Sequence, residues 1–331
     1  MRASPTSNSP GVHVSTTAPL AAADQTGSTE AAITTSSLTK TFGKQPAVRN
    51  LTIEVPRHKI VGFVGPNGSG KTTTIRMLLG LIRPTSGTGR VLGGSIDDPA
   101  LYLERVGALI ETPAFYPTLS GRANLAVLAS LGGICSRRIP ELIETVGLAG
   151  RERDKVGKYS LGMKQRLGIA AALLPDPELL VLDEPANGLD PAGIIEMREL
   201  LRSLRDQGKT VFISSHLLGE LEHMADWMVV LKEGEAAYAG PTVELTNRSA
   251  GGILLSVESP DQMEKLQRIV MDLGYQAHWQ DAALRVSAPR EAAGEINRQA
   301  MNVGVTLTEI QHLKSTLEDI FLAMISGDDH V

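Results

Sequence analysis

The sequence predicts an α/β fold whose central sheet is mixed or mainly parallel, and three observations predict it. A glycine-rich loop, Gly65–Thr72, stands between a short apolar strand and an apolar helix. A continuously apolar run, Leu179–Asp183, is typical of a strand in the middle of a mostly parallel sheet. A further buried strand, Thr210–Ser215, ends at a histidine. Because such sheets bind ligands at the carboxyl ends of their strands, we expect a site at this edge.

The glycine-rich loop fits the pattern of a phosphate-binding loop, Gly, four residues, Gly-Lys-Thr, with no mismatch. The strand before it and the helix after it are the context that phosphate binding requires, and they predict a P-loop NTPase. Lys71 would place a positive charge near the outer phosphates, and the Thr72 hydroxyl can bind Mg²⁺. The residues expected to bind nucleotide here are Gly65, Pro66, Asn67, Gly68, Ser69, Gly70, Lys71, Thr72 and Thr73.

Two carboxylates, Asp183 and Glu184, follow the apolar strand that begins at Leu179. We expect Asp183 to hold Mg²⁺ through water and Glu184 to orient and polarise an attacking water. In isolation, two acids after a strand more often begin a solvated turn, but the phosphate loop upstream reverses that preference. His216 lies where a contact to a γ-phosphate is wanted, although a histidine after a strand is more often a capping or packing residue.

Phe42 is a lone aromatic residue between two predicted strands, Ile33–Leu38 and Ala47–Val55. It has two interpretations. It could be a core residue of a β-hairpin, or it could offer a flat face on which an adenine ring stacks. The pattern of residues alone leaves both interpretations open.

The chain divides into three predicted parts. Residues 1–30 are rich in Ser, Thr, Ala and Pro, which predicts a disordered tail. Residues 31–245 carry the motifs above and end in a predicted hairpin around Glu233-Gly234. Within them a helical subdomain is expected at about 113–175, because apolar residues recur with helical spacing over 121–150. Arg83–Gly89 is predicted to be a turn.

Residues 246–331 predict a small α+β appendage, because short strands alternate with helices there. The predicted strands are Ile253–Val257, Leu284–Val286 and Val305–Ile310, and the predicted helices are Asp261–Leu273, Arg290–Ala300 and Leu317–Met324. The appendage has no glycine-rich loop and no cluster of acids, so nothing in it indicates catalysis.

Composition excludes several classes of protein. The 331 residues carry a net charge of -5, which argues against an unspecific nucleic-acid or anionic-membrane surface. The single cysteine, Cys135, excludes an intramolecular disulfide and a cysteine-rich metal site. No stretch approaches the roughly 20 apolar residues that a membrane span requires. If the protein serves a membrane, we expect a partner to provide the connection.

Five motifs in a fixed order resemble those of the ATP-binding subunit of ABC transporters. They are Gly65–Thr72, Ser160–Gln165, Asp183-Glu184, Asp190 and His216. The resemblance covers roughly residues 33–245, and the combination of motifs makes it specific. It implies an ABC ATPase domain with an antiparallel β subdomain and a helical subdomain. It also implies that ATP and Mg²⁺ are bound and that Lys71, Glu184 and His216 serve ATP hydrolysis.

The resemblance assigns further roles. Phe42 would be the adenine-stacking aromatic residue, and Ser160–Gln165 the signature motif. In the family, two copies face each other head to tail, so Ser160, Gly162 and Gln165 of one copy would complete the ATP site of the second copy. A helix N-terminus suits this role because its N–H groups and dipole attract a γ-phosphate. Asp190 would lie in the loop that joins the two sites.

This chain departs from the family pattern in two places. The signature usually has Gly-Gly before its final glutamine. Here Leu161 replaces a small residue, and Met163 and Lys164 replace the second glycine and the residue after it. The family's glutamine that contacts Mg²⁺, expected after the predicted strand Val106–Ile110, is Glu111 here. Our hypothesis is that Glu111 keeps the metal-facing role and adds a negative charge beside Mg²⁺. The alternative is that it weakens ATP binding by repelling the γ-phosphate.

Two stretches are similar to the bacitracin- and lantibiotic-exporter branch of this family. Ile110–Pro117 together with the signature carries the first similarity, and Leu317–Leu322 resembles the C-terminal extension of that group. The branch implies export of a drug, peptide antibiotic or similar substrate through a separate integral-membrane permease. It would place the chain on the cytoplasmic face of the cell membrane, with Pro113–Leu119 docking on the permease.

Two alternative functions stay open on the sequence. A soluble ABC-type ATPase could act on nucleic acid or ribosomes, but the acidic balance and the lack of a basic insertion argue for no nucleic-acid partner. A nucleotide-binding regulator without turnover would not need Glu184 and His216, so their presence argues against it.

Overall fold

The computed structural model describes residues 31–110, 114–216, 218–248, 252–280, 283–313, 317, 318, 320 and 321. The predicted tail at 1–30, Glu111 and half of the predicted helix Leu317–Met324 lie outside these residues. Within the described ranges, no helix combines the length and apolar character needed to cross a membrane.

The described residues form three sheets with helices between and around them. The strands are β1 (Ile33–Phe42), β2 (Gln45–Val55), β3 (Ile60–Val64), β4 (Ser86–Val91), β5 (Gly94–Ser95), β6 (Val106–Leu109), β7 (Leu179–Asp183), β8 (Thr210–Ser215), β9 (Trp227–Lys232), β10 (Glu235–Pro241), β11 (Gly252–Val257), β12 (Gln276–Gln280), β13 (Ala283–Ser287) and β14 (Leu307–Leu313). The helices are α1 (Lys71–Leu78), α2 (Gly121–Leu131), α3 (Ile139–Thr145), α4 (Leu161–Ala172), α5 (Pro191–Asp206), α6 (Leu218–Glu222), α7 (Thr242–Arg248), α8 (Met263–Asp272) and α9 (Ala292–Asn302).

The central sheet has the strand order β10-β9-β3-β8-β7-β6. Neighbouring strands from β9 to β6 run parallel, and β10 pairs antiparallel with β9 as the predicted hairpin. Every residue of β3, β7 and β8 is buried. Alternate residues of β3 enter two different cores, Ile60 and Val64 on one face and Val61 and Phe63 on the other. The prediction of an α/β fold with a mixed, mainly parallel sheet is therefore confirmed.

An antiparallel sheet, ordered β2-β1-β4-β5, packs with α1 on one face of the central sheet. The prediction that Arg83–Gly89 forms a turn is wrong, because β4 already begins at Ser86 and pairs with β1. The physical reason is the close approach of the two backbones. A Cβ at Gly87 would lie 2.2 Å from the Ser37 carbonyl oxygen, so glycine here serves strand pairing.

Helices α2, α3 and α4 pack together over the other face of the central sheet. Serines begin two of them. The Ser120 hydroxyl accepts a hydrogen bond from the Ala123 N–H, and the Ser160 hydroxyl accepts one from the Met163 N–H, both at 3.2 Å. Ser160 is therefore the N-cap of α4, and this helix begins within the predicted signature.

The C-terminal unit is a βαββαβ arrangement with the antiparallel order β12-β13-β11-β14. Helices α8 and α9 contribute to its separate core, so the α+β prediction is confirmed. Strand β12 is absent from the sequence prediction, because polar residues occupy its exposed positions. Leu317 and Ile320 leave this unit and join the core under the helical layer beside Leu218 and Leu221.

Candidate active site

Strands β3, β8 and β7 lie side by side and parallel, so the segments that follow them meet at one edge of the sheet. Val64 pairs with Ser215 across β3 and β8, and Asp183 pairs with Ser214 across β7 and β8. The phosphate loop, the histidine and the two carboxylates are thus brought together by strand order alone. This is the edge at which parallel sheets bind ligands.

Lys71 is buried at the start of α1, inside the phosphate loop. Its Nζ donates hydrogen bonds to the carbonyl oxygens of Gly65 at 2.7 Å and Pro66 at 3.3 Å. Burial lowers the pKa of Lys71 from its ordinary value, and the nearby carboxylates of Glu184 and Asp183 oppose that shift. The loop therefore holds its one amine close to the two acids.

The loop is shaped for a close approach by phosphate. Gly70 precedes α1 with φ 101°, and a Cβ there would lie 2.4 Å from the Ala47 carbonyl oxygen. Only glycine fits both the conformation and the space. The Ser69 hydroxyl is buried and has no hydrogen-bond partner in the described part of the chain. A buried unpaired hydroxyl in a glycine-rich loop fits a site for an anionic ligand.

Thr72 and Asp183 form the candidate metal site. The Thr72 hydroxyl donates to Asp183 Oδ2 at 3.0 Å. Hydroxyl and carboxylate oxygens are the ligands that Mg²⁺ prefers, together with water and substrate phosphates. Among the described residues, no group of three or more His, Cys, Asp or Glu could hold a metal ion by itself. These oxygens therefore fit Mg²⁺ that is completed by nucleotide and water.

Glu184 and His216 are in direct contact. The distance from His216 Nδ1 to Glu184 Oε2 is 2.7 Å, and both side chains are partly exposed to the cleft. Glu184 adopts a left-handed backbone conformation with φ 51°, which is uncommon for a residue with a side chain. The geometry presents a carboxylate to the cleft with its orientation fixed by the histidine.

The cleft at this edge has a volume of about 600 Å³. Its lining residues are Phe42, Ala47, Asn67, Gly68, Gly70, Lys71, Thr72, Thr73, Glu184, Asn187 and His216. Phe42 ends β1 and is 53% exposed, with Lys40 Nζ 5.2 Å from the centre of its ring. The interpretation of Phe42 as a hairpin core residue is therefore wrong, and its ring faces the same cleft as the phosphate loop.

The signature residues lie elsewhere. Ser160 and Gly162 are at the N-terminus of α4, and within the described structure neither lines this cleft. Gln165 is 6% exposed on the buried side of the same helix, so its side chain is on a different face from Ser160. Asp190 is the N-cap of α5, where its carboxylate accepts from the Gly193 N–H at 3.1 Å.

Three residues of the site are not predicted from the sequence. Ala47 and Asn187 line the cleft, and Ser214 contacts both acids from the neighbouring strand. For Ser214 a signal exists, because two serines, Ser214 and Ser215, follow the apolar residues of this strand directly before His216. Glu111 lies outside the described residues, so its proposed metal-facing role stays a prediction.

Comparison with known proteins places the chain among transport ATPases. A family model for ABC transporters matches residues 48–187, and one for an AAA domain matches residues 154–222. The bacitracin transport ATP-binding protein BcrA of Bacillus licheniformis is 42% identical over 299 residues, covering 89% of this chain and 97% of that protein. The lantibiotic transport ATP-binding protein SrtF of Streptococcus pyogenes is 41% identical over 198 residues, covering 60% of this chain and 86% of SrtF.

Solved structures agree with this placement. The ATP-binding subunit of an ABC transporter superposes with a TM-score of 0.58 at 29% identity, covering 65% of this chain and 92% of that one. A second ATP-binding cassette, at 22% identity, shows the same fold with a TM-score of 0.60 and covers 66% of this chain and 94% of its own. The chain therefore belongs to the family of ABC transporter ATP-binding subunits, and it is an ATPase coupled to transport.

Proposed function

We propose that this subunit hydrolyses Mg-ATP in the cleft beside the phosphate loop and thereby powers export of a drug or peptide antibiotic through a separate permease. The observation that carries the proposal is the meeting of Lys71, Asp183 and Glu184 at one sheet edge, with Lys71 and Glu184 lining the same cleft. An ammonium, a metal-binding carboxylate and a water-orienting carboxylate are the groups that phosphoryl transfer requires.

Each residue has a distinct task in this proposal. Lys71 would turn its ammonium from the loop carbonyls to the outer phosphates. Thr72 and Asp183 would hold Mg²⁺, which when bound neutralises phosphate charge. Glu184 would orient the attacking water and polarise it. His216, by donating through Nδ1, would keep the Glu184 carboxylate in position.

Phe42 would stack on the adenine ring. Replacing it with Ala is expected to raise the KM for ATP about 10-fold and to leave kcat within about two-fold, because stacking of a base on an aromatic ring contributes roughly 1–3 kcal/mol. Steady-state kinetics measure both constants. Phe42→Trp keeps a flat face and serves as the control, with a KM close to wild type. An unchanged KM in Phe42→Ala would contradict the stacking role.

The proposed substrate class rests on the relatives. Those compared above are described as transporting bacitracin or a lantibiotic, both peptide antibiotics, which favours a transported peptide antibiotic or drug over a role on nucleic acid. We propose export as the direction. The chain would act at the cytoplasmic face of the cell membrane, held there by the permease.

The segment of this chain proposed to dock on the permease is the loop before α2. The Tyr116 ring in this loop is 59% exposed. The backbone beneath the ring is fixed, because the buried Asn124 side chain accepts from the Tyr116 N–H at 2.8 Å and donates to its carbonyl at 3.1 Å. An exposed ring on a fixed backbone suits a protein contact.

Tyr116→Ala is therefore expected to reduce co-purification with a co-expressed membrane subunit at least five-fold, since truncating an anchor aromatic residue commonly costs more than 1 kcal/mol. Leu131→Ala is the matched control, because Leu131 is 79% exposed at the far end of α2. Equal recovery of the membrane subunit with both variants would contradict docking at this loop.

We further propose that two copies associate head to tail. The N-terminus of α4 is exposed at Ser160. Within the described part of the chain, no signature residue lines the cleft of the same copy. Backbone N–H groups and a positive dipole end at that position could complete the phosphate site of a second copy. Gln165 is buried, so Ser160 and Gly162 would make this contact.

A further inference from the structure

We propose that Ser214 is the positioning residue that sets the geometry of both active-site carboxylates. The inference deepens the proposed ATP hydrolysis and rests on it. Ser214 is fully buried on β8, lies outside every motif of the sequence analysis, and does not line the cleft within the described structure. It would act through Asp183 and Glu184 and would not touch ATP.

The Ser214 hydroxyl uses its proton and its oxygen on different partners. It donates a short hydrogen bond to Asp183 Oδ1. Its oxygen accepts the backbone N–H of Glu184 at 3.0 Å. A hydroxyl has one proton and two acceptor lone pairs, so both bonds can form together. One side chain therefore joins two consecutive residues of the site, the last residue of the neighbouring strand and the residue that follows it.

The contact to Glu184 matters because of its backbone conformation. A residue with a side chain persists at φ 51° only where its surroundings hold it there. The Glu184 N–H is shared between the Ser214 hydroxyl at 3.0 Å and the Ser214 carbonyl at 3.2 Å. Removing the hydroxyl leaves the N–H with the carbonyl alone. The turn that aims the Glu184 side chain into the cleft would then lose one of the two hydrogen bonds to its N–H.

The contact to Asp183 fixes the plane of a carboxylate. Asp183 Oδ1 accepts a hydrogen bond from the Ser214 hydroxyl, and Oδ2 accepts one from the Thr72 hydroxyl at 3.0 Å. Because Oδ1 is held from the interior, Oδ2 stays directed at Thr72, the other candidate ligand of Mg²⁺. A continuous set of hydrogen bonds thus runs from the phosphate loop through Asp183 and Ser214 to Glu184.

Ser214→Ala tests the inference, and Thr210→Val is its matched control. Thr210 is also a buried hydroxyl residue on β8, at the opposite end of the strand, where its Oγ1 accepts the His58 N–H at 2.9 Å. Both variants remove one buried hydroxyl from the same strand. Only Ser214→Ala should impair chemistry.

For Ser214→Ala we expect kcat to fall about 10- to 100-fold, since small misplacement of catalytic groups has effects of that size. Binding of a fluorescent ATP analogue in EDTA should stay within about two-fold of wild type, because Lys71 and the loop are untouched. The gain in ATP-analogue affinity on adding Mg²⁺ should shrink, because Asp183 is less well held. Thr210→Val should keep the wild-type kcat and the wild-type gain from Mg²⁺.

The inference would be overturned if the wild type hydrolyses Mg-ATP and the kcat of Ser214→Ala lies within two-fold of the kcat of Thr210→Val. The proposed function would then still stand. Parallel loss of analogue binding in EDTA would also overturn the inference, because the defect would then be general. If Ser214→Ala does not fold, Ser214→Cys fills the site while its thiol donates and accepts only weakly, and an unchanged kcat in that variant overturns the inference. Absence of hydrolysis by the wild type with its membrane subunit would overturn the proposed function itself.

Discussion

Glu184→Gln protein should hydrolyse ATP at about 1% of the wild-type kcat or less, since loss of a positioned general base costs roughly 10²–10⁴-fold. The substitution is close to isosteric. The glutamine Oε1 can still accept from His216 Nδ1, and its backbone can still take the left-handed conformation of residue 184. What disappears is the negative charge that polarises the attacking water.

ATP binding should persist in this variant, because the phosphate loop and the candidate metal ligands Thr72 and Asp183 are unchanged. Bound but unhydrolysed ATP should then hold two copies together. Light scattering with and without Mg-ATP measures this directly, and we expect an ATP-dependent dimer. A variant that binds ATP and stays monomeric would contradict the proposed pairing of two identical copies while leaving the catalytic role of Glu184 intact.

Glu199→Gln is the matched control for the kinetic effect. Glu199 is an exposed carboxylate on α5, outside the cleft lining within the described structure. Its variant should keep kcat within about two-fold of wild type, as surface substitutions away from a site do. A kcat above one tenth of wild type in Glu184→Gln would show that another group activates the water, and the assignment of Glu184 would be wrong.

The sequence predicts much of the site because the residues that carry its chemistry lie at the ends of three apolar strands. Parallel strands that are buried on both faces are recognised by composition, and their carboxyl ends must share one edge. The sequence alone therefore predicts that the phosphate loop, Asp183-Glu184 and His216 meet. Phe42 could not be decided, because whether a ring at a strand end faces a core or a cleft depends on the packing of another sheet.

Other features depend on register and strand order, which local patterns do not contain. Ser214 contacts both acids only because β8 pairs with β7 in a register that sets it opposite Asp183. The left-handed conformation of Glu184 likewise follows from what surrounds it. The sequence does not predict strand β4, because Gly87 and Gly89 are residue types that are usual in turns. In the structure Gly87 permits a close approach of two backbones. Tertiary contacts decide such positions.

A mixture of two inactive variants should recover ATPase activity if each signature serves the site of the other copy. Lys71→Ala removes the ammonium from the phosphate loop, and Gly162→Glu adds a carboxylate at the start of α4. Each variant alone should show only a few per cent of wild-type activity, because both sites of each dimer then carry a defect. In the mixed dimer, the intact loop of one copy faces the intact signature of the other.

Gly162 is suited to this experiment because its own chain leaves room for a side chain. Among the described residues, a Cβ at Gly162 would meet only Leu189 Cδ2, at the ordinary contact distance of 3.5 Å. The substitution should therefore leave the fold intact, and replacing a glycine near the start of a helix does not weaken the helix. The added carboxylate would instead repel the γ-phosphate of ATP bound to the other copy.

Random pairing of equal amounts makes half of the dimers mixed, with one intact site of two, so the expected activity is about one quarter of the wild-type value for a symmetric dimer. The doubly substituted protein, Lys71→Ala with Gly162→Glu, is the control, and mixing it with either single variant should restore nothing. Recovery near one quarter requires that residues from two copies build each site. Activity of the mixture no higher than that of the separate variants would contradict the head-to-tail arrangement, and the N-terminus of α4 would then need another ligand.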